Sequence, residues 1–136
     1  MSISIYYTAK RAHSITPAEG AAIDSLLEEF SVDNEIEDRL RTGQGLNWES
    51  FCVYDPADPT EPGVIFEGAT KLPDNCDDAV LRGLDHWSRL LSRIRRAVPG
   101  AAWHVNVDDN DLVWDDVAGE YDLSQSRNER GGPTRG

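Results

Sequence analysis

The stretch NCDDAVLRGLDHWSRLLSRIRRAV, residues 75–98, decides how the chain is read. Its apolar residues Val80, Leu84, Trp87, Leu91, Ile94 and Val98 recur at alternating spacings of four and three, which is one stripe of an amphipathic helix. Arg82, Arg89, Arg93 and Arg96 fall on the opposite face, and His86 projects among them. Asp74 or Asn75 is placed to cap the start, and Asp77 and Asp78 suit the positive end of the helix dipole. Arg93, Arg95 and Arg96 suit the negative end, and Pro99-Gly100 stops the helix. One side therefore lies on a core, and an arginine ridge faces water.

Outward from this helix the chain alternates with period two. Ala102–Val107 sets Trp103, Val105 and Val107 against His104 and Asn106. Upstream, Val64–Thr70 and Trp48–Tyr54 read as two strands, the second with Phe51 and Val53 on one face and Ser50, Cys52 and Tyr54 on the other. DPADPTEPG, residues 55–63, joins them as a proline-rich loop. Near the N-terminus, Ser2–Ala9 sets Ile3, Ile5 and Tyr7 against Ser4, Tyr6 and Thr8. Thr16-Pro17-x-Glu19 is a capping box with proline at the first helical position, opening a helix to about Phe30 with Ile23, Leu26, Leu27 and Phe30 inward. Ser31–Leu46 has two readings, a short helix capped by Asp33 and ending at Gly43, or a loop over a sheet edge.

The order strand, helix, strand, strand, helix, strand predicts an α+β, ferredoxin-like βαββαβ sandwich, a four-stranded antiparallel sheet with two helices on one face. Ile3, Ile5, Phe51, Val53, Trp103 and Val105 then share the core with the helices. Tyr6, Thr8, Cys52, Tyr54, His104 and Asn106 form the open sheet face. A short C-terminal extension follows, with a turn at Asp108–Asp111, a strand Leu112–Trp114 and a helical turn through Asp115–Tyr121. Residues 1–123 make one domain, and 124–136, polar and glycine-rich, read as a disordered tail.

The charge balance narrows the partners. The net charge is −12, and residues 1–123 alone carry 24 acids against 10 bases. This disfavours nucleic acid and anionic membranes and favours a basic partner. A merely solubilising acidic surface is the bland alternative. The preference for arginine over lysine is compatible with a GC-rich bacterial source. Cys52 and Cys76 form neither a disulfide framework nor a metal-type pair. Cys76, near a helix start, reads either as a reactive thiol or as an ordinary small residue. The start MSISIYYTAKR lacks the layout of a signal peptide, and no apolar run has the length of a membrane span, so a cytoplasmic protein is expected.

No catalytic signature, cofactor loop or metal-ligand spacing is present. The acids Asp108, Asp109, Asp111, Asp115, Asp116, Glu120 and Asp122 do not match a Ca²⁺ loop and read as surface. With Trp114 and Tyr121 among them, Asp108, Asp109, Asp111, Asp115 and Asp116 are the candidate partner-binding residues, aromatic anchors within an acidic, steering rim; the other reading of these rings is that they staple the C-terminal piece to the sheet. The expected function is a small acidic bacterial interaction protein for a basic protein partner, of which an immunity or antitoxin-type inhibitor is one form. The alternative is an enzyme or small-ligand domain using Tyr6, Tyr54, His104 and Asn106 on the open sheet face.

Overall fold

Alternation of Ile5, Tyr7 and Ala9 with Ser4, Tyr6 and Thr8 produces the central strand β1, Ser4–Lys10. The computed structural model describes residues 3–55 and 58–123, so the segment read as a tail lies outside the described residues. Antiparallel to β1 run β2 (Val64–Lys71) on one side and β3 (Ala102–Val107) on the other, and β4 (Asn110–Asp111) adds to β3. The sheet order is β2-β1-β3-β4. Among the described residues three helices complete the body: α1 (Pro17–Glu29), α2 (Asp33–Thr42) and α3 (Ala79–Ala97). A separate two-stranded ribbon, β5 (Val113–Asp115) with β6 (Glu120–Asp122), packs on α3. The architecture is α+β, with α1 and α3 covering the Ile5, Tyr7, Ala9 and Val105 face of an antiparallel four-stranded sheet.

The α3 stripe behaves as its spacing dictates. Leu84, Trp87, Leu91 and Ile94 are buried, joined by Leu90 and by the small residues Gly83, Ser88 and Ser92. The first turn differs from expectation. The helix begins at Ala79, and Asp74 and Asn75 do not cap it. Their side chains instead bind the loop around Asn47: the Asn47 amide donates to Asp74 at 2.8 Å, and Asn75 accepts from the Asn47 backbone N–H at 3.1 Å. That hydrogen bond from Asn47, with Lys71 nearby, holds the Asp74 carboxyl below its ordinary range.

The strand expected at Trp48–Tyr54 does not form, so the element order is not βαββαβ. The segment leaves the sheet plane and crosses the helix-side face of β2. Phe51 stacks on Tyr7 with centroids 4.6 Å apart and meets Trp87 at 5.1 Å. The Cys52 carbonyl accepts from the Tyr7 hydroxyl, which also bonds Thr70 Oγ1 at 2.7 Å. Burial of this phenol pushes its pKa above the ordinary range. Gly68 makes the crossing possible, because a Cβ there would lie 2.1 Å from the Cys52 carbonyl oxygen. Only Tyr54 keeps a strand-like bond, donating to the Glu67 carbonyl at 2.8 Å. Aromatic burial between sheet and helix outweighs one row of edge hydrogen bonds. The helical turn expected at Asp115–Tyr121 is instead the ribbon turn between β5 and β6. Of the two readings for residues 31–46 the helical one holds, as α2, although none of its residues is buried.

Arg11, just past the end of β1, is an internal clamp. Its side chain is 3% exposed and pairs with Glu19 through both terminal nitrogens. It also donates to the His13, Ser14 and Pro99 carbonyls. One guanidinium thus ties the end of β1, the capping box of α1 and the exit of α3.

Two outcomes follow for stability. Trp87→Ala or Leu91→Ala costs roughly 2–5 kcal/mol as a core deletion, whereas Arg89→Ala, removing an exposed pair with Asp85, costs under about 1 kcal/mol; urea midpoints check this, and equal losses at Leu91 and Arg89 refute the packing. Hydrogen bonding from Arg11 first, then from the Thr16 backbone, lowers the Glu19 pKa from 4.5 to about 2. A depressed carboxyl contributes stability above its unfolded pKa and loses it as pH falls through the folded one. Stability therefore drops between about pH 4.5 and 2 more steeply in the native protein than in Glu19→Gln. Parallel acid limbs in the two proteins would overturn this.

Candidate functional site

The C-terminal acids divide between two turns. Asp108 and Asp109 occupy the β3–β4 turn, where Asp108 takes a left-handed φ of 53°. Asn106 braces that turn by donating to the Asp108 carbonyl at 2.8 Å. Asp111 meets His104 at 2.8 Å across the β3–β4 pair. Asp115 begins the ribbon turn and accepts from the Val117 and Ala118 backbone N–H groups at 2.9 and 3.1 Å. Asp116 and Glu120 are exposed beside Val117, whose surface is 98% exposed.

Trp114 and Tyr121 pack within the chain, against α3. Their rings face each other across the ribbon at 5.0 Å, and the Arg95 guanidinium lies 4.2 Å from the Trp114 ring centre. Arg95 also donates to the Tyr121 hydroxyl at 3.3 Å. Tyr121 is buried, which raises its phenol pKa against the opposing pull of Arg95. Its backbone N–H donates to Ser92 Oγ, which donates in turn to the Ser88 carbonyl. The two rings therefore fasten the ribbon to α3, and the exposed part of the candidate surface is its acids and Val117. Arg95, read from the sequence only as a dipole partner, is the residue that sequence reasoning missed; its position one helical turn from Leu91 and Ser92 was the available signal.

The open sheet face places Tyr6, His104 and Asn106 together, with Tyr6 opposite Asn106 and Thr8 opposite His104. Tyr54 does not join them. It stands at the outer edge of β2, with that strand between it and Tyr6. The loop before β2 folds over one end of the face, where Thr60 donates to the Glu67 carboxylate from both its backbone N–H and its hydroxyl. What remains is a flat polar surface; neither groove described below is lined by Tyr6, Tyr54, His104 or Asn106.

The arginine ridge of α3 is neutralised in part. Arg89 pairs with Asp85, Arg93 pairs with Glu29, and these residues line a groove of about 660 Å³ between α3 and the ribbon. A second groove of about 720 Å³ lies between α2, the residue 44–48 loop and the start of α3. His86 sits here, not in water: its Nε2 donates to the Phe30 carbonyl at 2.8 Å, and its ring lies edge-on to Trp48 and Trp87. Among the described residues no three His, Cys, Asp or Glu side chains are grouped as a metal site requires, and no helix is long and apolar enough to cross a membrane.

If Arg95 holds the ribbon, Arg95→Met lowers its local stability by about 1–2 kcal/mol. Amide exchange at Val113–Asp122 then speeds up while exchange in β1 and α3 stays the same. Uniform acceleration across the chain would show that Arg95 serves the whole core instead. Compared with known protein families, with curated proteins and with solved structures, the chain matches none.

Proposed function

We propose that this chain is a binding protein for a basic protein partner, engaged through the β3–β4 turn and the tip of the β5–β6 ribbon. The observation that carries this reading is the tip itself: a fully presented apolar side chain, Val117, between Asp116 and Glu120 on a ribbon fastened by Arg95, Trp114 and Tyr121. A fastened ribbon loses little freedom on binding, which lowers the cost of association. Unpaired acids around it steer a cationic surface and disfavour nucleic acid. The charge balance adds support, because Lys10, Arg11, Arg41, Lys71, Arg89 and Arg93 are already held by carboxylates within the chain. Immunity or antitoxin-type inhibition in the bacterial cytoplasm is the form of this activity that best suits a small, acidic domain without a catalytic constellation.

We also infer that the fold is a variant of the ferredoxin-like sandwich. β2, β1 and β3 hold the places of its third, first and fourth strands, and residues 48–54 occupy the flank of the missing second strand.

The test is quantitative capture from a bacterial lysate on immobilised native protein and on the variant Asp108→Asn, Asp109→Asn, Asp116→Asn, Glu120→Gln. Asp115 is left intact because it holds the turn. Basic proteins retained by the native chain are lost from the variant. With a captured partner, association slows steeply with salt as the Debye length shrinks from about 10 Å at 0.1 M to about 3 Å at 1 M. Val117→Asp acts on dissociation. Retention indifferent to the four substitutions removes this surface from consideration.

A further inference from the structure

The two grooves beside α3 differ in how the arginines of α3 meet carboxylates. In the groove against the ribbon, two of three lining arginines meet carboxylates: Arg93 reaches Glu29 at 3.2 Å and Arg89 reaches Asp85 at 3.3 Å. In the groove against α2, Glu35 on one wall and Arg82 on the other line the same space of about 720 Å³, yet they do not pair with each other. Neither has an ion-pair partner among the described residues. The one further acid of this wall, Asp38, is taken by Arg41.

Between these separated charges lies an apolar floor made by Val32, Leu46, Trp48 and the His86 ring. This floor is held in place. Val32 is buried, Trp48 stands edge-on to Trp87 at 5.8 Å, and His86 is anchored to the Phe30 carbonyl. The rim is braced too, since the Asn75 amide donates to the Gly45 carbonyl at 2.9 Å. A volume of this size suits a small molecule, and rigid apolar walls with a few separated polar groups are what such sites have in common.

We propose that this groove binds a small zwitterion with an apolar body, of the class of the aromatic and aliphatic amino acids. The ammonium group faces Glu35, the carboxylate faces Arg82, and the side chain lies on Trp48 and His86. A single charge of either sign satisfies one wall and leaves the other unmatched, so charge complementarity selects both ends at once. The proposal is independent of the acidic tip, which is built on other elements.

The experiment is an NMR titration of the full chain, following the Trp48 indole N–H and the Gly45 amide. Three probes share one ring: L-phenylalanine, 2-phenylethylamine with only the cation, and 3-phenylpropionate with only the anion. L-Phenylalanine binds at least about tenfold more tightly than either half-probe, one charge-assisted contact apart. Glu35→Gln weakens L-phenylalanine and phenylethylamine by about tenfold and leaves phenylpropionate unchanged; Arg82→Gln does the reverse. Both positions are exposed, so the melting temperature stays constant and loss of binding is not loss of fold. The proposal is overturned if L-phenylalanine fails to saturate below about 10 mM. It is equally overturned if a half-probe binds as tightly, or if the shifts arise away from the groove.

Discussion

The contact on which most of the structure depends is the wedge of Phe51 between Tyr7 and Trp87. It puts an aromatic ring from an irregular segment into the layer where sheet meets helix. From Trp87 the chain of rings continues to Trp48 and His86, and from His86 to Phe30 at the end of α1. One run of rings thus connects β1, residues 48–51, α3 and α1. Each ring is fixed by its neighbours, so the position of α3 over the sheet and the shape of the groove beside α2 have a common cause. Gly68 is the permission for this arrangement, since any side chain there would strike the Cys52 carbonyl.

Much of the fold was legible because its signals are local. The stripe of α3, the capping box before α1 and the alternation of β1 and β3 are each written within a few residues. Residues 48–54 were misread for a physical reason. Phe51 and Val53 alternate with Cys52 and Tyr54 as a half-buried strand does, and nothing nearby says otherwise. The competing interactions come from Tyr7, Gly68, Thr70 and Trp87, all distant in sequence. Arg11 was invisible for the same reason: its partners, at Glu19 and Pro99, converge only after α1 and α3 have docked.

The candidate surface was legible in composition and illegible in roles. Seven acids within fifteen residues announced an acidic region, but not that Asp115 serves its own turn or that Asp111 serves His104. Trp114 and Tyr121 had two readings, anchors for a partner, since such rings are enriched in binding sites, or staples for the C-terminal piece. Their preference is satisfied within the chain by Arg95. The same chemistry that would recognise a foreign guanidinium is used on one supplied by α3.

This internal use of charge also separates surfaces that serve the fold from surfaces that are left to bind something else. Exposed pairs such as Arg89 with Asp85 contribute little to stability, about 0–1 kcal/mol each. Their effect is on recognition: a matched pair presents neither charge strongly to an approaching molecule. Where charges are matched, as at Arg89 with Asp85 and Arg93 with Glu29 on α3, the surface is nearly silent. Where charge stands unmatched among the described residues on a rigid support, as at Asp116 and Glu120 or at Glu35 and Arg82, a ligand of complementary charge meets no ion-pair competitor from them. Among the described residues six of the ten lysines and arginines pair with carboxylates, and the places where charges stand apart are where a molecule from outside has something to gain.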